Sequence, residues 1–295
     1  MGSLFGAKLS LAGFDIRLID INQAHIDAVN QEGLKLQTEA GAHTVRLPIG
    51  PASAFAEPVD LVLVFTKGPH TVAALEAARH LIGPSTWALT LQNGLGNGDR
   101  VATVVPADRV LIGMTNWPSD MRGPGSVSSH GLGEVRLWSL DGKPSERLSA
   151  VADVLSAAGL NAQADASVLV AIWEKAAFNA AMNSIAAVTG FTVGEMSDDA
   201  DTRALARAVV QEATAVANAR GIDASEARVL AMVEHAFADH RPHKPSMLQD
   251  VLNQRQTEIG SINGAIVEEA TKSSLSAPVI QTLLRLVSAK ERHYA

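Results

Sequence analysis

Lys175, Asn179 and Asn183 recur every four residues along a stretch, 167–189, whose other positions are almost all apolar. At about 100° per residue this spacing places one amine and two amides within a stripe roughly 80° wide on a helix. A helix that is apolar nearly all round is buried, so its polar stripe must face a cleft or a polar partner. A lysine partly removed from water has its pKa lowered from about 10.4 toward neutrality, which suits it to give a proton to a developing alkoxide. The two amides can fix its direction and hold a substrate oxygen. A solvated Lys/Asn face is the competing account, and the apolar run around the stripe argues against it.

A second constellation is Ser246-Met247-Leu248-Gln249-Asp250, followed eight residues later by Glu258 and then by Asn263-Gly264. One helix from 246 to about 270 would put Asp250 and Glu258 on a common face. The plainer alternatives are an N-cap for Ser246 after Pro245 and a surface salt bridge for Glu258. Three further residues follow strand-like segments: Asp20 ends 15–20, Lys67 comes after 60–66, and Asn93 comes after 87–92 within Gln92-Asn93-Gly94. His235, His240 and His243 lack a carboxylate in register and run into Lys244-Pro245. They read as cations at a helix C-terminus, and no metal is expected. The chain has no cysteine, which excludes disulfides, thiolate nucleophiles and Cys-based metal sites.

Strand-like and helix-like segments alternate through the first half, at 15–20, 60–66, 87–92 and 109–114, as in a parallel sheet covered by helices. Segments 34–37 and 44–48 read as short strands around a Gly turn. Residues 126–140 read as an antiparallel pair turning near His130-Gly131-Leu132-Gly133. After a helix at 145–158 the period becomes 3.6, with helices at 167–189, 199–220, 224–239, 246–270 and 278–292. The expected fold is an α/β, doubly wound Rossmann-like domain over 1–163 and an all-α domain over 164–295, with the active site in the cleft between them.

A dinucleotide-binding domain opens with a strand and Gly-x-Gly-x-x-Gly, whose amides and following helix hold a pyrophosphate. Here residues 1–9 read as that following helix, with Gly2 as the third glycine, so the first strand and two glycines are missing. The sequence leads us to expect roughly ten native residues upstream, lost to a start assigned at an internal methionine. Gly94, Gly96 and Gly98 are a decoy, because Asp99 stands where the last glycine of a match should follow.

The 295 residues exceed the usual size of one core. A net charge of −7 without a Lys/Arg cluster excludes a phosphate-backbone partner. No apolar stretch approaches the roughly 20 residues that cross a bilayer, and no leader is legible, so a cytoplasmic location is expected. Nothing requires self-association, although the all-α half could pair with a second copy as a homodimer.

Taken together, Gln92-Asn93-Gly94, Lys67, Lys175 with Asn179 and Asn183, and Ser246-Met247-Leu248-Gln249-Asp250 with Glu258 resemble the ketopantoate reductase family, over nearly the whole chain. The resemblance implies that NADPH delivers hydride to C2 of 2-dehydropantoate, a small 2-oxoacid, forming (R)-pantoate. It implies that Lys175 is the general acid and that Glu258 supports it while contacting cofactor or substrate. Asn93, Asn179, Asn183 and Ser246 would then orient the keto acid, with Gly2, Lys67 and Asn93 near the cofactor. The segment Asp20-Ile21-Asn22 departs from the family, in which an arginine often pairs with the 2′-phosphate of NADP(H). A carboxylate there favours the ribose 2′-OH of NAD(H). Two alternatives stand: an NAD-dependent 2-hydroxyacid dehydrogenase acting on another branched or aromatic 2-oxoacid, and a non-catalytic dinucleotide-binding regulator. Retention of Lys175 and Glu258 argues against the latter.

Overall fold

The computed structural model describes residues 1–294. The chain forms two compact units: Met1–Thr66, His70–Gln92 and Gly98–Val168 in the first, and Lys67–Pro69, Asn93–Asn97 and the chain from Leu169 onward in the second.

Up to residue 164 the elements are α1 (Gly2–Leu11), β1 (Leu18–Ile19), α2 (Gln23–Glu32), β2 (Leu34–Thr38), β3 (Gly41–Val45), β4 (Ile49–Gly50), β5 (Leu61–Val64), α3 (Thr71–Ala77), β6 (Trp87–Thr90), α4 (Asn97–Ala102), β7 (Val110–Thr115), β8 (Asp120–Gly123), β9 (Ser126–Ser129), β10 (Val135–Ser139), α5 (Glu146–Ala157) and β11 (Ala162–Ala164). The main sheet has the order β11-β10-β7-β6-β5. Within it β5, β6 and β7 run parallel, whereas β10 is antiparallel to β7. A four-stranded sheet has the order β3-β2-β9-β8, and β1 pairs only with β4. Helices and sheets close over one apolar cluster that includes Leu4, Phe5, Leu34, Leu89, Leu137 and Leu155.

Two expectations for this region are corrected. Residues 126–140 do not form a hairpin: β9 pairs in parallel with β2, and β10 pairs with β7 from Val135↔Thr115 to Ser139↔Leu111. Alternation of buried and open positions reveals a strand but not its partner, and Val127 and Leu137 each complete a different sheet. The segment 15–20 yields only a two-residue strand, because only Leu18 and Ile19 find register with β4.

The second unit is helical: α6 (Val168–Thr189), α7 (Val193–Asp198), α8 (Ala200–Ala219), α9 (Glu226–Asp239), α10 (Ser246–Leu252), a π-helical turn at Gly260–Gly264, α11 (Ala265–Lys272) and α12 (Pro278–Glu291). Short polar side chains start these helices: Thr192 and Glu195 form a capping box, and Asp199 and Ser225 each accept a first-turn N–H. Gly190, at φ +80°, ends α6. Along α6, Ala176, Ala177, Ala180, Ala181 and Ala186 are fully buried, and such small side chains let neighbouring helices approach closely.

The expected helix over 246–270 is broken. At the end of α10 the Gln254 N–H bonds to Val251 O and the Arg255 N–H bonds to Asp250 O, at 3.1 and 2.9 Å, with Gln254 at φ +52°. This is a Schellman termination whose left-handed residue is not glycine, so the sequence carried no stop signal. Asp250 and Glu258 therefore do not share a helix face, a correction of the pattern read from their spacing.

Candidate active site

The side chains of interest in the second unit come from four pieces of chain, together with Asp250 and Ser246 on α10. The regular helix α6 carries Lys175, Asn179 and Asn183. Asn179 and Asn183 are 9% and 7% exposed, so the amide stripe lies within the protein. Lys175 keeps part of its surface accessible but stands in dense surroundings. Burial pushes its pKa down to about 8, against the opposing pull of the Glu258 charge.

Glu258 lies beyond the Schellman turn, after five residues outside regular structure and just before the π-helical turn. Burial holds its carboxyl above the usual carboxylate range. The Asn93 hydrogen bond and the Lys67 charge pull it back, Asp250 raises it further, and Lys175 lowers it. Asn93 Nδ2 donates to Glu258 Oε2 at 3.2 Å.

Asn93 sits on the loop that follows β6, and that loop is fastened where it meets the π-helical turn. The Leu95 N–H donates to Ser261 O at 2.9 Å, and Asn97 Nδ2 donates to Asn93 O at 3.0 Å. Gly94 adopts φ +89°, and a Cβ there would lie 2.1 Å from Ser261 O. Both the backbone angle and the close approach demand glycine, which explains its place after Asn93.

The fourth piece is the short loop after β5. Lys67 Nζ meets Asp250 Oδ2 and Gln256 O, both at 2.7 Å. Glu258 thus feels Lys67, Asp250 and Lys175 electrostatically, and Lys175 feels Glu258. An amine near neutrality beside an anchored carboxylate can deliver a proton to an oxygen and be recharged between turnovers.

Of the residues singled out from sequence, Lys175, Glu258, Asn93 and Lys67 are brought together, with Asn179 and Asn183 one and two turns further along α6. Ser246 is exposed in the first turn of α10; Pro245 is the N-cap, so Ser246 does not cap the helix. Gly2 and Asp20 lie in the first unit. Gly2 opens α1, whose first turn has no side-chain cap, and the nearest neighbour to a Cβ there is Phe65, at 3.9 Å. Asp20 directly follows β1, its Oδ1 accepting the Asn22 N–H at 2.9 Å. Uncapped helix amides and a carboxylate at a strand end suit a phosphate and a ribose diol, so these residues fit a dinucleotide. His235 Nδ1 lies 2.7 Å from Asp239 Oδ2, a contact along α9.

Known proteins converge on the same reading. Residues 1–142 match the family model described as ketopantoate reductase PanE/ApbA, and residues 167–291 match that of its C-terminal part. The chain belongs to the ketopantoate reductase family. It is therefore an oxidoreductase with a Rossmann-like N-terminal part and a helical C-terminal part. A 2-dehydropantoate 2-reductase of Streptococcus pyogenes serotype M3 is 34% identical over 99% of this chain and 95% of its own length. Among solved structures, D-mandelate dehydrogenase with NADH and anilino(oxo)acetate has a TM-score of 0.93 at 33% identity, covering 99% of this chain and 96% of its own. The 2-dehydropantoate 2-reductase from Geobacter metallireducens GS-15 has a TM-score of 0.91 at 28% identity, covering 97% and 95%.

Sequence reasoning missed several residues of this family member. Asn97 was passed over as part of a glycine decoy, although an amide four residues after Asn93 was a usable signal. The pairing of Asp250 with Lys67, 183 positions apart, had no local signal.

Proposed function

We propose that this protein reduces 2-dehydropantoate to (R)-pantoate at the expense of a reduced nicotinamide dinucleotide. The observation that carries the reading is Lys175, an amine brought to about pKa 8 by burial, in the electrostatic reach of a carboxylate held by Asn93. When bound, the dihydronicotinamide supplies hydride to C2 of the keto acid. Lys175 Nζ gives its proton to the C2 oxygen, so the carbonyl gains one hydride and one proton and becomes a secondary alcohol. Glu258 keeps Lys175 charged before the step, and Asn179 and Asn183 orient the acid from the same helix. Ser246 would bind the substrate from the start of α10. Residues 1–163 would hold the dinucleotide, with Gly2, Lys67 and Asn93 near it, and residues 164–295 would carry the proton donor.

The carboxylate of Asp20 favours NAD(H) over NADP(H), because it accepts from a ribose 2′-OH and repels a 2′-phosphate. Asp20→Ala is expected to narrow the preference about tenfold, roughly one charged hydrogen bond. Comparable kcat/KM for the two cofactors in the unaltered protein, or a higher value with NADPH, would defeat this assignment. A second reading, reduction of an aromatic 2-oxoacid, is supported by Asp20 together with the likeness to D-mandelate dehydrogenase bound to NADH. A panel of 2-oxoacids followed by loss of dihydronicotinamide absorbance separates the two. Highest kcat/KM with 2-dehydropantoate supports the first, and highest with phenylglyoxylate supports the second. No turnover of any 2-oxoacid would sink both.

A further inference from the structure

We infer that Glu291, in the last turn of α12, is a positioning residue that sets the place of Glu258. The inference rests on the proposed role of Glu258 and extends it to a residue that touches neither substrate nor cofactor.

Glu258 needs outside support, because the chain leading to it has no ladder or helix of its own. Gln254 is held in the left-handed region, which is strained for a non-glycine residue and persists only where the surroundings over-determine it. Glu291 Oε1 accepts the Thr257 N–H at 2.6 Å. Thr257 is 4% exposed, and its Oγ1 in turn accepts the Ile259 N–H at 3.1 Å. The 256–257 and 258–259 peptide groups, which bracket Glu258, are therefore both pinned by a relay that starts at Glu291.

The first link is charge-assisted, stronger and shorter than a bond between neutral groups. Lys67, bonded to Gln256 O, holds the carbonyl end of the same 256–257 peptide group. The neighbouring Lys290 holds a different element: its Nζ donates to Ala187 O and Val188 O at 2.8 and 3.0 Å, carbonyls in the last turn of α6. Glu291 acts next to Glu258 itself; Lys290 acts about three turns beyond Lys175. A displaced reacting group is costly: about 1 Å can reduce turnover up to a hundredfold.

The test compares Glu291→Ala, Glu291→Gln and Lys290→Met in the full chain. Steady-state kinetics are measured with the best substrate of the 2-oxoacid panel, alongside amide hydrogen exchange at Thr257. Glu291→Ala is expected to lower kcat about tenfold, leave the substrate KM within about twofold, and speed exchange at Thr257. Glu291→Gln retains an acceptor oxygen and should recover kcat to within about threefold. Lys290→Met should lower the melting midpoint while kcat holds. Introduced into Glu258→Gln, which is itself expected to be slow, Glu291→Ala should cost nothing further.

Wild-type kcat in folded Glu291→Ala, failure of Gln to rescue, or an undiminished loss in the Glu258→Gln background would each overturn the inference. If Glu291→Ala does not fold, Thr257→Val cuts the second link of the relay and should lower kcat several-fold; no loss there refutes the relay. Wild-type kcat in Glu258→Gln would instead remove the underlying role of Glu258, whereas Thr257 exchange still reports whether the clamp exists.

Discussion

The proton donor and the carboxylate proposed to support it are delivered in opposite ways. Lys175 rides on a 22-residue helix whose hydrogen bonds and buried alanines place it, together with Asn179 and Asn183, by regular geometry alone. Glu258 follows a non-glycine Schellman stop and an irregular segment, and it is placed by Asn93, Lys67, Thr257 and Glu291, side chains distant in sequence or outside any helix ladder. A regular element carries a group cheaply but at fixed pitch. An irregular one can aim a group anywhere, provided that enough tertiary contacts hold it, because no local ladder does so.

That contrast can be broken most directly at Lys175. Lys175→Ala should lower kcat by about 10²- to 10⁴-fold, the range of general acid catalysis, while a fluorescence titration with NADH stays unchanged. A loss smaller than that of Glu258→Gln would reverse the assigned roles. Next in size is Gly94→Ala. The added methyl collides with Ser261 O and forces a side chain into positive φ, so Asn93 must move; kcat should fall at least tenfold, with a lower melting midpoint.

The pH profile sharpens the comparison from the electrostatic side. Reduction consumes the charged form of Lys175, so kcat/KM should be level below about pH 8 and fall roughly tenfold per unit above it. Glu258, raised above the ordinary carboxylate range, should set the acid limb higher than a free glutamate would. Linkage gives the matching stability signature. The folded pKa of Lys175 is depressed, so the unfolded chain binds more protons between about pH 8 and the ordinary lysine value, and stability should rise with pH across that window. Calorimetric midpoints that fall there in wild type but not in Lys175→Met would contradict it. The smallest effect is expected at Gln254→Gly, which relieves the left-handed residue and should add about 1 kcal/mol with little change in kcat.

Much of this was legible beforehand, for identifiable reasons. A 3.6-residue period with Gly190 as its stop defines α6 within a residue of the reading, since the periodicity and the cap are local properties. The strands β5, β6 and β7 emerged similarly as short apolar runs between turns. The helix read over 246–270 failed because Gln254 performs a glycine's task, and the hairpin over 126–140 failed because partner choice among strands is non-local. Glu291 was invisible for the same reason: a carboxylate on an otherwise ordinary stretch acquires meaning only from what it faces.

Composition, period and the order of the polar residues by themselves determined an α/β half followed by a helical half, an amine with two amides on one buried helix, and a carboxylate where a nucleotide ribose is expected. Only the tertiary structure decided which carboxylate faces that amine, how far burial shifts its proton, and what holds the irregular chain between Asp250 and Glu258. Local hydrogen bonding and hydrophobic period act within a few residues, whereas desolvation and charge coupling depend on groups that folding brings together from opposite ends of the chain.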